Sequence, residues 1–475
     1  MKNEDANLLI ITFDQLRGDW ANTKSGKIKL KAMEKIAARG WEGKNCYTTS
    51  PQCVPARLSL LSGLFPSQLG VTKNEAFNVP ADTPSQLRKI RDKGWHTALI
   101  GKTHWTNHTI KDDLRKNRDL MNELGLDYIQ EIAGPRALQR IKCDLTEEWE
   151  KNNLFQAQMN DLKKRYGEGR TKNLWEARHT ILPNNLYPDI WIANQAIKYI
   201  QKLPEKKPWL LWISFVGPHE PFDTPQPWEG KNKENKNIQK TYRNVNWIEQ
   251  LGVKTSLRNI YQGWKGKVSS EEIANLRMNY ADHCNLLDDQ VNRITEELRK
   301  RKDHKRTAIL ITSDHGDMLG DYGMLFKSTF LEPSIKVPMI YRPPDENNLL
   351  FRRITKEAIS IKDVVKEVIN NLPSGGKLGP IKNASETKKP IICEYDNEFA
   401  LIYKSVKGVY DSKGELLWAT KIMKSGQEVP IHNKTESAYV KNQKTLDNLN
   451  KIAKSISKKR ARKSWLKKNL SLGIN

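Results

Sequence analysis

Four stretches of this chain share one design: a run of apolar residues without polar alternation, broken at its end by side chains capable of chemistry. "NLLIITF" runs into Asp14 and Gln15, "WHTALIG" into Lys102 and His104, "WLLWISFVG" into His219 and Glu220, and "TAILITS" into Asp314 and His315. A strand with one wet face alternates, so runs this continuous suit strands buried on both faces of a parallel sheet. Helical patterns fill the intervals, among them "KLKAMEKIAARG", "DIWIANQAIKYIQKL" and "EEIANLRMNYADHCNLLDDQVNRITEELRKR". Strands alternating with helices predict an α/β/α sandwich. Ligands of open parallel sheets bind beyond the carboxyl ends of the strands. The order along the chain therefore predicts that Asp14, Gln15, Lys102, His104, His219, Asp314 and His315 meet at one edge.

From about Gly375 the texture changes. "PSGGKLGPIKN" reads as loop, and "PIICEY", "FALIYK" and "KGVYDSKGELLWATKIM" read as short strands with a turn at Ser412-Lys413-Gly414. With one helix near Ser437 to Ser457 they predict a small antiparallel α+β unit. The expected division is a catalytic α/β unit over residues 1–374 and a small unit with a basic tail over 375–475.

The net charge of +25 is concentrated partly in that tail, "KKRARKSWLKK" from Lys458 to Lys468. Such a tail suits either a solvated surface or a polyanion such as nucleic acid, and a basic field also attracts small anions. Five cysteines without metal-ligand or disulfide-framework spacing point to a reducing compartment. The start, "MKNEDANLLIITFDQ", has no basic leader, and nowhere do roughly 20 apolar residues run together. The expectation is a soluble cytoplasmic protein with no membrane partner, its oligomeric state open.

Cys53 stands out within "SPQCVPARLSLLSG". Pro55 suits the first turn of a helix and "ARLSLLSGL" continues one, which puts Cys53 at a helix N-terminus, where the dipole favours an anion and lowers a thiol's pKa. Arg57, one turn in, is placed to brace that position. Asp14-Gln15 and Asp314-His315 offer oxygen-bearing side chains and an imidazole to a divalent cation, a mixed set that suits Ca²⁺, Mg²⁺ or Mn²⁺ and does not forbid Zn²⁺.

"CVPARLSLLSG" resembles the signature of the type I sulfatases of the alkaline-phosphatase-like superfamily, in which C-x-P-S/A-R leads into T/S-G. "GKTHW" resembles that family's G-K-x-H element, and "SDHGDMLGDYGMLFKSTFLEPSIKVPMI" its second metal segment with a downstream lysine; "ITFDQLRGD" and "PHEPF" also fall in the family's order. The resemblance implies a sulfuric ester hydrolase whose cysteine, Cys53, is oxidised to formylglycine by a maturation enzyme. It implies that Asp14, Gln15, Asp314, His315 and modified Cys53 bind one cation, usually Ca²⁺, and that Arg57 holds the formylglycine. Lys102 and Lys327 would clamp sulfate oxygens, with Asn74 as a further contact, His104 would position the hydrated aldehyde, and His219 with Lys327 would protonate the leaving oxygen. A hydrated aldehyde suits this chemistry because one hydroxyl attacks sulfur and the second later expels sulfate, whereas a serine would strand as a sulfate ester. The substrate implied is a small sulfated organic molecule.

Gln15 departs from the second Asp that many sulfatases have, and similar Asp-Gln pairs occur in choline-sulfatase-like and phosphonate-monoester-hydrolase-like relatives. A phosphonate monoester or phosphodiester hydrolase is therefore one alternative, against which the Lys102/His104 pair has the sulfatase form. The other is a non-catalytic polyanion-binding protein on this scaffold. The Trp-rich inserts around Trp175, Trp191 and Trp228 are placed either to shape a substrate pocket or to cover core.

Overall fold

A computed structural model describes residues 5–21, 23, 26–166, 174–344, 353–376, 388–431 and 437–460. The apolar runs become strands of one nine-stranded sheet. Its strands are β1 (Asn7–Asp14), β2 (Trp41–Tyr47), β3 (His96–Gly101), β4 (Tyr128–Glu131), β5 (Trp209–Pro218), β6 (Thr307–Ser313), β7 (Lys336–Val337), β8 (Met339–Arg342) and β9 (Arg353–Ser360). They lie in the order β9-β2-β8-β6-β1-β5-β3-β4, with β7 paired to β2. The five from β6 to β4 are mutually parallel, β9 is parallel to β2, and β8 and β7 run against their neighbours. Every residue of β1, β5 and β6 is buried, which is why these strands carry no polar alternation.

Successive side chains of the central strands enter two cores. Leu9, Ile11 and Phe13 face helices that include α1 (Lys31–Ala37), α3 (Pro188–Ile200) and α4 (Ser270–Arg299). Leu8 and Ile10 face α2 (Cys53–Ser62) and α5 (Ile361–Asn370). The result is the predicted three-layer sandwich. All ten residues of α2 are buried, and its Leu58 and Leu61 each contribute about 1.5–3 kcal/mol of burial, so Cys53 is anchored to a rigid element. The long α4 starts on a capping box: Ser269 Oγ accepts the Glu272 N–H, and Glu272 accepts the Ser269 N–H at 2.8 Å. Among the described residues no helix is long and apolar enough to cross a membrane.

A second, antiparallel sheet follows, β10 (Ile391–Tyr395), β11 (Glu398–Tyr403), β12 (Val406–Asp411), β13 (Leu416–Ile422) and β14 (Glu428–Pro430), in chain order. The β12–β13 connection contains the expected Ser412-Lys413-Gly414 turn, with Gly414 at φ +82°. One face packs α6 (Ser437–Arg460) through Phe399, Leu401, Tyr410, Leu446 and Leu449. The other packs the first unit through Cys393, Ala400, Val409 and Trp418 against Tyr47, Phe330 and Ile335. Fully buried Lys407 crosses this joint to Glu332 Oε1 at 3.0 Å, and within its own sheet pairs with Glu428 Oε1 at 2.9 Å. Residues 461–468 of the basic tail lie outside the described residues.

Candidate active site

The carboxyl ends of four adjacent parallel strands deliver Asp14 from β1, Lys102 after β3, His219 after β5, and Asp314 and His315 after β6. Cys53 is the first residue of α2; Gln52 before it is extended and gives no side-chain cap. Asn74 supplies the missing acceptor, its Oδ1 taking the Val54 N–H at 2.9 Å. Cys53 therefore lies at the positive end of the helix dipole, which favours negative charge. Gly101 turns β3 into the site at φ +113°, and any Cβ there would collide with the Ser214 carbonyl oxygen. That close approach accounts for the glycine of "GKTHW".

Cys53 Sγ lies 3.1 Å from His315 Nε2, 3.0 Å from Lys327 Nζ and 3.7 Å from Asp14 Oδ1. His315 Nε2 is 3.6 Å from both Asp14 Oδ1 and Asp314 Oδ1. Its Nδ1 donates to the Gly316 carbonyl at 2.9 Å, which turns Nε2 into the cluster, where Lys327 Nζ also reaches it at 3.3 Å. Asp14, Cys53, Asp314 and His315 each offer one ligand atom, all within 4.8 Å of one another. Lys102 Nζ pairs with Asp14 Oδ2, so Asp14 Oδ1 is the oxygen turned to the cluster. His104 lies beside Cys53, and its Nδ1 is buried without a partner.

Arg57 makes its hydrogen bonds to Asp314 Oδ2 at 2.7 Å and to the Lys102 carbonyl and Ser214 Oγ, both at 2.8 Å. It braces the carboxylates and the β3 and β5 ends, and acts on Cys53 through charge. The amide of Gln15 turns to Glu220 at 3.3 Å and to Asp317, its backbone N–H donates to Asp314 Oδ1, and its Oε1 is buried without a partner. Gln15, His104, Phe326 and Ser328 all have positive φ, between +57° and +79°, so strained backbone gathers at this edge.

Electrostatics follow from burying so many charges together. Burial alone would push the Cys53 thiol up; Lys102, Lys327 and His315 overcome it and hold the thiol far below its ordinary range. Burial and Cys53 likewise push Asp14 up, and Lys102, His219 and Arg57 hold it below the usual carboxylate range. Burial lowers Lys327, but Cys53, Asp14 and Glu220 keep it above its ordinary value. His219 is pushed down to about 4, by burial above all, with Glu220 opposing and Lys327 reinforcing.

Several residues here carried no assignment in the sequence. Glu220, adjacent to His219, pairs with Arg136, whose guanidinium lies over the Phe326 and Tyr166 rings. Asp317, inside "SDHGD", is pushed up to about 7 by burial and Glu220. His108 stacks on His104 with ring centroids 4.6 Å apart. Glu220 and Asp317 sat inside quoted motifs and were findable as acids beside proposed site residues; Arg136 and Ser214 had no local signal. Trp175 and Trp191 are core residues and Trp228 packs partly buried against the same core, so the core-covering reading of the inserts is the observed one.

Glu131 supports the segment between Lys102 and His104 by accepting the Thr103 hydroxyl. Burial pushes its carboxyl up to about 8. A folded value above the unfolded one gives stability that is complete below about pH 4.5 and lost as pH rises through 8, at about 1.4 kcal/mol per unit. Glu131→Gln is therefore expected to match the parent's Tm near pH 5 and exceed it by several degrees at pH 8.5. Thermal melts at both pH values check this; an equal difference at both would remove the linkage.

A family model described as Sulfatase matches residues 6–372, a span that includes every residue placed in this site. An arylsulfatase of Clostridium perfringens (strain 13 / Type A) is 24% identical over 372 residues, covering 77% of this chain and 74% of that protein. A choline-sulfatase of Rhizobium meliloti (strain 1021) is 26% identical over 411 residues, covering 82% and 74%. Among solved structures, the phosphonate monoester hydrolase of Agrobacterium radiobacter shares the fold, with TM-score 0.70 at 19% identity over 94% of this chain and 96% of that one.

Proposed function

The chain belongs to the sulfatase family, a family of sulfuric ester hydrolases that use a metal ion and formylglycine, and we propose that it cleaves a small sulfate monoester to an alcohol and inorganic sulfate at the cluster around Cys53. The observation that carries this reading is Cys53 Sγ at 3.0 Å from Lys327 and 3.1 Å from His315, at the mouth of four strands that also deliver Asp14, Lys102, His219 and Asp314.

The donor set fits a cation: two buried carboxylates, the Nε2 of His315, turned into the cluster, and the unpartnered Oε1 of Gln15. Asp14, Gln15, Asp314, His315 and modified Cys53 would hold it. We read it as Ca²⁺, with Mg²⁺, Mn²⁺ or Zn²⁺ as alternatives. When bound, such an ion supplies positive charge that polarises sulfate oxygens. Lys102 and Lys327 clamp the remaining oxygens, which otherwise repel an attacking oxygen. His104 orients the group at position 53. Asn74 has its Oδ1 committed to Val54 and offers its amide N–H to sulfate. His219 Nδ1 is held by the Glu220 carbonyl at 2.8 Å, so Nε2, with Lys327, is the group that gives the leaving oxygen its proton. Arg57 fixes Asp314 and the Lys102 carbonyl, which keeps these parts in register.

Conversion of Cys53 to formylglycine by a maturation enzyme, and a cytoplasmic location, belong to the same reading; the latter is supported by five cysteines that are all free. We also propose that residues 1–374 and 375–475 work as one body, held by the Lys407 joint. A second reading, phosphonate monoester hydrolysis, is favoured by Gln15 in place of an acid. The polyanion-binding alternative rests on the tail and has no support among the described residues.

Mass spectrometry of the tryptic peptide Asn45–Arg57, from protein made beside a maturation enzyme, tests the mechanism. Formylglycine is expected at Cys53 and unmodified thiol at Cys46 in the same peptide. Unmodified Cys53, under conditions that convert a control sulfatase, would remove it. Converted protein is then expected to hydrolyse sulfate monoesters faster than phosphonate monoesters; the reverse order selects the second reading.

A further inference from the structure

We infer that, while Cys53 is still a thiol, Asp14, Cys53, Asp314 and His315 form a tetrahedral site for one thiophilic divalent cation of the Zn²⁺ class. The inference shares with the proposed function only the reading of these residues as a cation cluster, and does not depend on conversion of Cys53.

Distance comes first. A tetrahedral ion with bonds of about 2.0–2.3 Å separates its ligand atoms by about 3.3–3.8 Å. Four of the separations here are 3.1 Å (Sγ to His315 Nε2), 3.7 Å (Sγ to Asp14 Oδ1) and 3.6 Å (His315 Nε2 to Asp14 Oδ1 and to Asp314 Oδ1). The remaining two separations fall within 4.8 Å, and the group that has to swing aside for an ion is Lys327 Nζ, 3.0 Å from Sγ and 3.3 Å from His315 Nε2. The donor orientations agree: His315 has its Nδ1 tied to Gly316, and Asp14 has its Oδ2 tied to Lys102, so each presents its other atom.

Donor chemistry then selects the ion. A thiolate and an imidazole beside two carboxylates suit Zn²⁺ or Co²⁺. Ca²⁺ asks for six to eight oxygens, and here a sulfur and a nitrogen take two of the four places. The same position carrying oxygen in place of sulfur would lose that preference, so the chemical state of residue 53 sets which metal the protein holds. Among the described residues this is the one such His/Cys/Asp/Glu group, and the other four cysteines lie outside it.

The test uses full-length protein made without a maturation enzyme, stripped with chelator and titrated with Co²⁺. The expected result is a thiolate-to-cobalt charge-transfer band that saturates at about one ion per chain. Equimolar Zn²⁺ should abolish it, and about a hundredfold excess of Ca²⁺ should leave it in place. Cys53→Ser should lose the band. No band in the parent protein, displacement by Ca²⁺, or a band that survives in Cys53→Ser would each overturn the inference; the two competition results need only the parent protein, whatever the variant's folding. Failure here with formylglycine detected in converted protein leaves the hydrolase reading standing, and the opposite pair of results leaves only the thiophilic site.

Discussion

Cys53→Ser is expected to lower turnover of a sulfate monoester by at least about 10⁴-fold and to leave the protein sulfated at residue 53. The serine Oγ occupies the place of Sγ, beside Lys327 and His315, and can attack sulfur as the ester oxygen departs with a proton from His219 or Lys327. One S–O bond forms and one breaks, and the Oγ proton is left with the site. The product is a serine sulfate whose Cβ carries no second hydroxyl, so no internal route expels sulfate. Cys53→Ala should be equally slow and stay unmodified, because it lacks any nucleophile. Intact-mass measurement after incubation with substrate separates the two variants by one sulfo group. Turnover by Cys53→Ser within tenfold of the parent would show that residue 53 does not carry the reaction.

Much of this site was legible because parallel sheets turn order along the chain into convergence in space. The four apolar runs became β1, β3, β5 and β6, which are neighbours in the sheet, so the polar residues after each had to meet. Cys53 at the start of a helix followed from Pro55 and the pattern after it. Arg57 shows the limit of such reasoning. Its spacing placed it one turn from Cys53, but its guanidinium satisfies Asp314 and two groups at the strand ends, a choice made by long-range packing. The Glu220–Arg136 pair is likewise a tertiary contact without a local signature. The antiparallel β8, inserted between β6 and β2, and the short β14 were also beyond local pattern, because a strand of three or four residues has too few positions to show a period.

His219→Ala is expected to cost an amount that depends on the leaving group: about 10²–10⁴-fold in kcat on an alkyl sulfate, and under about tenfold on a nitrophenyl sulfate. A nitrophenolate departs without a proton, whereas an alkoxide is too basic to do so. In the proposed reaction His219 has one task. Its Nδ1 is engaged by the Glu220 carbonyl at 2.8 Å, and the ring lies in the field of Asp14, Lys102 and Lys327, which leaves Nε2 to act on the leaving oxygen. Burial holds the imidazole down to about 4. An arriving sulfate ester adds negative charge beside it and raises that value, so the proton is taken up as substrate binds. Lys327 remains in the variant as a partial donor, which sets the lower end of the range. Steady-state rates on a series of sulfates with graded leaving groups measure the effect directly. A steeper dependence on leaving-group basicity in His219→Ala than in the parent assigns the proton to His219; a uniform loss across the series assigns it instead to holding the end of β5.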